Sequence, residues 1–193
     1  MKESILKKVR ESHDAGARFF EENAEQIEAC ARALALRLES GGTLFTMGNG
    51  GSSCDAAHVA VEFVHPIVEK RRALAAVALT SDAPTLTAIG NDVDFTCVFE
   101  RQLEVLARPG DAVLGISTSG ASANVVRALR KARDRGLLTI GFAGRDGARM
   151  PDACDHCFVV RTWSIHRVQE THTLLLHLLW DLVHVAMGED DVL

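Results

Sequence analysis

The chain is poor in positive charge, in long apolar runs and in proline. Its 193 residues carry a formal net charge of −5 and contain no basic block. Little in it could release the counterions of a nucleic acid, which excludes nucleic acid as the main partner. Nowhere do roughly eighteen apolar residues follow one another, the length a bilayer-crossing helix needs, so no membrane partner is expected. Met1–Arg10 carries Lys2, Glu3, Lys7 and Lys8 where a secretory signal would be apolar, and no such signal is read there. Internal repeats and low-complexity linkers are also missing, and the length suits one ordinary domain with a real core. Cysteine occurs in an odd number, five, which favours free thiols in a reducing, cytoplasmic setting. Cys154-Asp155-His156-Cys157 has the spacing of a zinc knuckle or a redox pair. No second pair accompanies it, and a lone C-x-x-C is weak grounds for either role.

What is present is an alternation. Apolar residues at helical spacing (Ile5, Val9, Phe19, Ile27, Cys30, Leu34, Leu38) predict a helical N-terminal segment over residues 1–40, stopped by Gly41-Gly42 and packed on the domain or on a partner subunit. Residues 41–193 then alternate. Strands are expected at Thr43–Met47, Ala75–Leu79, Asp111–Ile116, Leu137–Phe142 and Cys157–Val160. Helices are expected near Cys54–Val64, Ala83–Ala88, Phe95–Ala107, Ser122–Arg135 and Ile165–Met187. Short apolar strands between helices predict an α/β fold with a five-stranded parallel sheet covered on both faces. Ligands of such sheets bind where strand C-termini meet helix N-termini.

Two strand-to-helix loops fall at such places. Gly48-Asn49-Gly50-Gly51-Ser52-Ser53 has neither dinucleotide-fold spacing nor the lysine of a P-loop. Its glycines let backbone approach a ligand beside a helix N-terminus, although a plain turn would look the same. The second loop, "GISTSGASANVV", sets the hydroxyls of Ser117, Thr118, Ser119 and Ser122 around Gly120. A helix cap needs one hydroxyl. Four of them beside free amides, without Lys or Arg, suit a phosphate monoester on a neutral sugar.

"GNGGS", "DAAHVAVEF", "AIGND", "GISTSGASANV" and "RVQETHTLLLH", in that order, resemble the sugar isomerase (SIS) domain family, in its phosphoheptose isomerase branch. The resemblance runs from about Arg37 to Met187. It implies isomerisation of sedoheptulose 7-phosphate to a manno-heptose 7-phosphate, for heptose-containing cell-surface glycans. It also implies a homotetramer and a bound zinc. By the same resemblance, phosphate falls to Ser117, Thr118, Ser119 and Ser122, and the sugar to Asn49, Gly50, Gly51, Glu62, Asn91, Asp92 and Gln169. The acid/base pair becomes Glu62 and His177, and the zinc ligands His58, Glu62, Gln169 and His177.

These residue types fit the chemistry. Aldose–ketose exchange moves one proton between adjacent carbons through an enediol and another between their oxygens, work for a carboxylate and an imidazole. His58 and Glu62, at i and i+4, share a helix face. Taken singly, each has a plainer reading: His58 as a hydrogen-bonded helix residue, Glu62 as a solvated one, His177 as a satisfied interior histidine. Gln169 and His177 lie eight residues apart, roughly 12 Å along a helix. To share a metal, both must stretch toward one another, or two copies of the helix must supply one ligand each. Two positions depart from the branch. Pro66 stands where an arginine is usual, and His166 where an acid is usual; Arg71 or Arg72 are the candidates to replace that arginine. The competing readings are a non-catalytic SIS protein that binds a replication initiator, and an isomerase or sensor of another phosphosugar. Retention of both Glu62 and His177 speaks against the first.

Overall fold

A computed structural model describes residues 1–68 and 71–191. The N-terminal segment is one continuous helix, α1 (Lys2–Glu39), which ends just ahead of the expected glycine stop. Strand β1 (Leu44–Gly48) leads into α2 (Gly51–Val64), and the short β2 (Ala76–Ala78) into α3 (Ala83–Asp92). A 3-10 turn at Phe95–Cys97 then runs into α4 (Val98–Leu106). The rest is β3 (Ala112–Ser117), α5 (Ala123–Asp134), β4 (Leu138–Gly144), β5 (His156–Val160) and α6 (Ile165–Ala186).

All neighbouring strands pair in parallel, in the order β2-β1-β3-β4-β5. The central strands β1, β3 and β4 are buried along their whole length, which is why they read as nearly unbroken apolar runs. Alternate residues feed two cores. Leu114, Ile116, Ile140 and Phe142 point to the face covered by α1, α2 and α6. Phe45, Met47 and Val113 point to the face covered by α4 and α5, with α3 at its margin. In α1, Phe19, Ile27, Leu34 and Leu38 join the first core directly. Among the described residues no helix is long and apolar enough to cross a membrane.

Three element boundaries differ from the expected ones. Helix α2 begins at Gly51, not near Cys54, because Ser52 N and Ser53 N already bond the carbonyls of Asn49 and Gly50. The glycine-serine stretch is thus largely the first turn of a helix. Helix α3 runs on to Asp92, so Asn91 and Asp92 end a helix. The segment from Phe95 is broken into the 3-10 turn and α4.

Helix α6 carries a fully buried histidine. His172 Nε2 lies 3.0 Å from the Ala143 carbonyl oxygen, to which it donates as a neutral ring, and Nδ1 is buried without a partner. Burial pushes its pKa from 6.5 down to about 4. In that interval the unfolded chain binds the proton and the folded chain does not. The stability this residue contributes is therefore complete above pH 6.5 and lost on acidification toward pH 4. The urea midpoint of the parent should fall more steeply between pH 7 and 4.5 than that of His172→Gln. Parallel pH slopes for the two proteins would contradict this assignment.

Candidate active site

The strand order reverses between β1 and β3, and the two motif-bearing loops leave the C-terminal ends of those two strands. That crevice is where ligands bind in open parallel sheets. The strands are in register through Gly48↔Ile116, so both loops start at nearly the same height.

The first loop is only Asn49-Gly50. Gly50 has φ 56°, a left-handed conformation that suits glycine at the sharp entry to α2. At Gly51 a Cβ would stand 2.2 Å from Gln169 Nε2 and would push that flexible amide aside. Bare backbone lets the α6 amide lie against the start of α2.

In the second loop Ser117 is a hub. Its Oγ lies 2.9 Å from Ser122 Oγ and 3.4 Å from Ser119 Oγ, while Ser119 Oγ accepts from Ala121 N at 3.2 Å. Thr118 completes the turn. Ser122 occupies the N-cap position of α5 but makes no capping bond, having turned its hydroxyl to Ser117. The first two amides of α5, those of Ala123 and Asn124, are left free of side-chain caps, while Val125 N donates to Asn124 Oδ1. Free N–H groups at the positive end of a helix, ringed by serine hydroxyls, form an anion seat.

The reactive side chains gather on α2 and α6. His58 Nε2 is 3.1 Å from Glu62 Oε1, the contact expected at i, i+4. His177 crosses from α6 to bring its Nε2 within 3.2 Å of the same His58 nitrogen. The rings meet edge-on, 4.8 Å between centroids. Glu62 keeps its second oxygen outside this contact. One turn before His58, Asp55 has a buried, unpartnered Oδ2; burial raises its pKa and the neighbouring His58 opposes that rise.

This donor set fits a metal ion. The ligand atoms of His58, Glu62 and His177 all lie within 4.8 Å of one another. Two of the separations, 3.1 and 3.2 Å, match the roughly 3.3 Å between ligands of a tetrahedral zinc with 2.0–2.1 Å bonds. Hydrogen bonding alone serves the trio badly. His58 Nε2 has one site, which faces both a carboxylate oxygen and the equivalent nitrogen of another ring. A cation between them satisfies all three. Among the described residues no other cluster of this kind is found, and the five cysteines are unpaired.

Other expected site residues are less closely gathered. The Gln169 amide lies beside Gly51, at the start of α2. The side chains of Asn91 and Asp92 bond to each other at 2.8 Å, exposed at the end of α3. Arg71 and Arg72 do not supply the arginine looked for near Pro66. Arg71 forms a buried ion pair with Asp181 and stacks over Trp180 at 4.7 Å, while Arg72 pairs with Glu189 at 2.9 Å. His166 is exposed. Sequence reasoning missed Asn124, whose side chain exchanges two 2.9 Å bonds with Asn49. Its only outward signal is an amide among the apolar residues of "SANVV".

The model of the SIS domain family matches residues 9–144. A phosphoheptose isomerase of Solidesulfovibrio magneticus is 49% identical over 179 residues, covering 93% of this chain and 87% of that protein. One from Aquifex aeolicus is 44% identical over 189 residues, covering 98% and 99%. The structure of a phosphoheptose isomerase from Neisseria gonorrhoeae superposes with a TM-score of 0.88 at 37% identity, covering 94% of this chain and 97% of that one. On these matches the chain belongs to the SIS domain family, in its phosphoheptose isomerase branch.

Proposed function

We propose that this protein is a phosphoheptose isomerase, converting sedoheptulose 7-phosphate to D-glycero-D-manno-heptose 7-phosphate for heptose-containing cell-surface glycans. The observation that carries this reading is the meeting of His58, Glu62 and His177 between α2 and α6, in a chain whose loop after β3 forms a serine anion seat. The seat takes the phosphate and leaves the open-chain sugar to reach the trio. The free oxygen of Glu62 removes the C1 proton of the ketose, the enediol forms, and the same carboxylate returns the proton to C2. His177 carries the hydroxyl proton from one oxygen to the other, so the atoms balance with no outside reactant. Asn49, Gly50, Gly51 and Gln169 bind the sugar between the two loops. Asn91 and Asp92 contribute if their exposed pair turns toward it.

Zinc is the cofactor best suited to His58, Glu62 and His177, with Gln169 as the fourth ligand. Bound there it would polarise the substrate oxygens and fix both imidazoles. Support for a homotetramer is the apolar surface left on the helical face. Val9 of α1, 60% exposed, and Leu174 of α6, 53% exposed, line a groove of about 550 Å³ between the two helices, and Ile5 of α1 is also 60% exposed. Residues 1–40 would then serve assembly and residues 41–193 the site, although α1 also shares the core. Five free thiols support a cytoplasmic setting.

Incubation with sedoheptulose 7-phosphate, followed by NMR, should show the aldose appearing. Glu62→Gln and His177→Ala should each cut turnover about 10²-fold or more with an unchanged circular dichroism spectrum. Near-normal activity in folded His177→Ala would remove that residue from the chemistry. Ala substitutions at Ser119 and Ser122 should each weaken phosphosugar binding by about 1–3 kcal/mol. Equal affinity of the parent for phosphorylated and unphosphorylated sugar would refute the anion seat. By light scattering the protein should be a tetramer, and a stable monomer at micromolar concentration would count against this assembly.

A further inference from the structure

The reciprocal amide pair between Asn49 and Asn124 ties together the two loops that frame the crevice. Asn49 Nδ2 donates to Asn124 Oδ1 at 2.9 Å, and Asn124 Nδ2 donates to Asn49 Oδ1 at 2.9 Å. Two amides meet this way only head to tail, so each fixes the other's orientation. Asn124 is fixed further, since its Oδ1 also accepts from Val125 N at 3.0 Å and the residue is only 4% exposed. It sits in the first turn of α5, immediately behind the serine seat. Asn49 sits at the tip of the glycine loop and is less deeply buried.

The pairing decides what Asn49 can offer. An amide has two N–H donors and two acceptor sites. One of each is spent on Asn124, which leaves one donor and one acceptor directed away from α5. Without its partner, Asn49 could turn about its side-chain bonds, and the glycine loop would lose its only side-chain tie to α5 among the described residues.

We infer that Asn124 is a positioning residue. It does not touch the substrate but holds Asn49, and through it the glycine loop, at the distance from the serine seat that a sugar phosphate spans. This rests on the sugar-phosphate reading above. Losing the clamp should harm recognition of a ligand that bridges both loops and spare one that occupies the seat alone.

Calorimetry on the full chain with two ligands, the equilibrated sedoheptulose 7-phosphate and inorganic phosphate, separates these effects. In Asn124→Ala the sugar phosphate should bind about tenfold more weakly, the loss expected of one or two good hydrogen bonds. Inorganic phosphate should change by no more than about twofold. Because Asn124 acts through Asn49, the double variant with Asn49→Ala should bind the sugar phosphate no more than about twofold worse than Asn49→Ala alone. Three results would overturn the inference: unchanged sugar-phosphate affinity, equal losses for both ligands, or multiplying losses in the double variant. Should Asn124→Ala fail to fold, Asn124→Leu keeps the approximate shape and adds no charge beside the seat but loses both bonds to Asn49. The same tenfold loss of sugar phosphate is then expected, and parent-like binding overturns the clamp. A parent that binds the sugar phosphate without isomerising it would defeat the reaction and leave the clamp standing. A parent that binds it no tighter than inorganic phosphate would defeat both.

Discussion

The parallel pairing of β1 with β3 is the constraint on which the site depends. Leu44↔Ala112 through Gly48↔Ile116 are in register, so a loop leaving one strand begins beside the loop leaving the other. A slip of one residue would turn the buried side chains of β1 to the wrong face and move its loop by about 3.3 Å. Either change would part Asn49 from Asn124 and the glycine loop from the serine seat. Both strands are central and buried on both faces, so the two cores enforce the register that the crevice needs. Core packing and ligand geometry are here one requirement.

Helix α6 supplies the third wall, and its composition reflects the demands on it. Leu175, Leu176, Leu179 and Val183 bury themselves in the core with α1 and α2. That burial fixes the helix rotation, which leaves Gln169 and His177 on the side that meets α2. Thr173, between them, bonds back to the Gln169 carbonyl at 3.1 Å and keeps the row on the helix surface. The long α1 closes over the other side of α6. Its contribution to the chemistry is indirect but concrete, because a helix as apolar as α6 needs cover on more than one side to stay in place.

Much of this was legible in the sequence, for identifiable reasons. Strands buried on both faces produce apolar runs, which located β1, β3 and β4, and the less buried β2 and β5 also lie within a few residues of their expected positions. The His58–Glu62 contact follows from i, i+4 spacing alone. His177 is different. Nothing local says that a residue 119 positions from His58 will meet it, and only the motif order pointed there. Asn124 could not be found from periodicity, since a buried amide and a buried aliphatic side chain occupy the same place in a helical pattern. The start of α2 was read late because glycine and serine are weak helix formers. The carbonyls of Asn49 and Gly50 capture the next amides regardless, and tertiary context wins. Arg71 and Arg72 show the converse limit. Their proximity in sequence to Glu62 suggested a role in the cleft, whereas Asp181 and Glu189 hold them at the far end of α6.

That placement bears on how a charged substrate would be held. A phosphate monoester brings close to two negative charges, and neither arginine is free to meet them. The seat offers the uncapped Ala123 and Asn124 amides of α5, its dipole and the serine hydroxyls. These donors are fixed by backbone rather than carried on flexible stems, so they can bind without ordering a long side chain first. Their strength depends on geometry in a way that a lysine's does not, since a helix terminus loses its effect within about one turn. A site built like this would tolerate little movement between the loop proposed to hold the phosphate and the groups proposed to handle the other end of the sugar. Rigid strands in register and the bidentate amide pair fix the two loops against each other, and the packing of α6 against α1 and α2 holds His177 against His58.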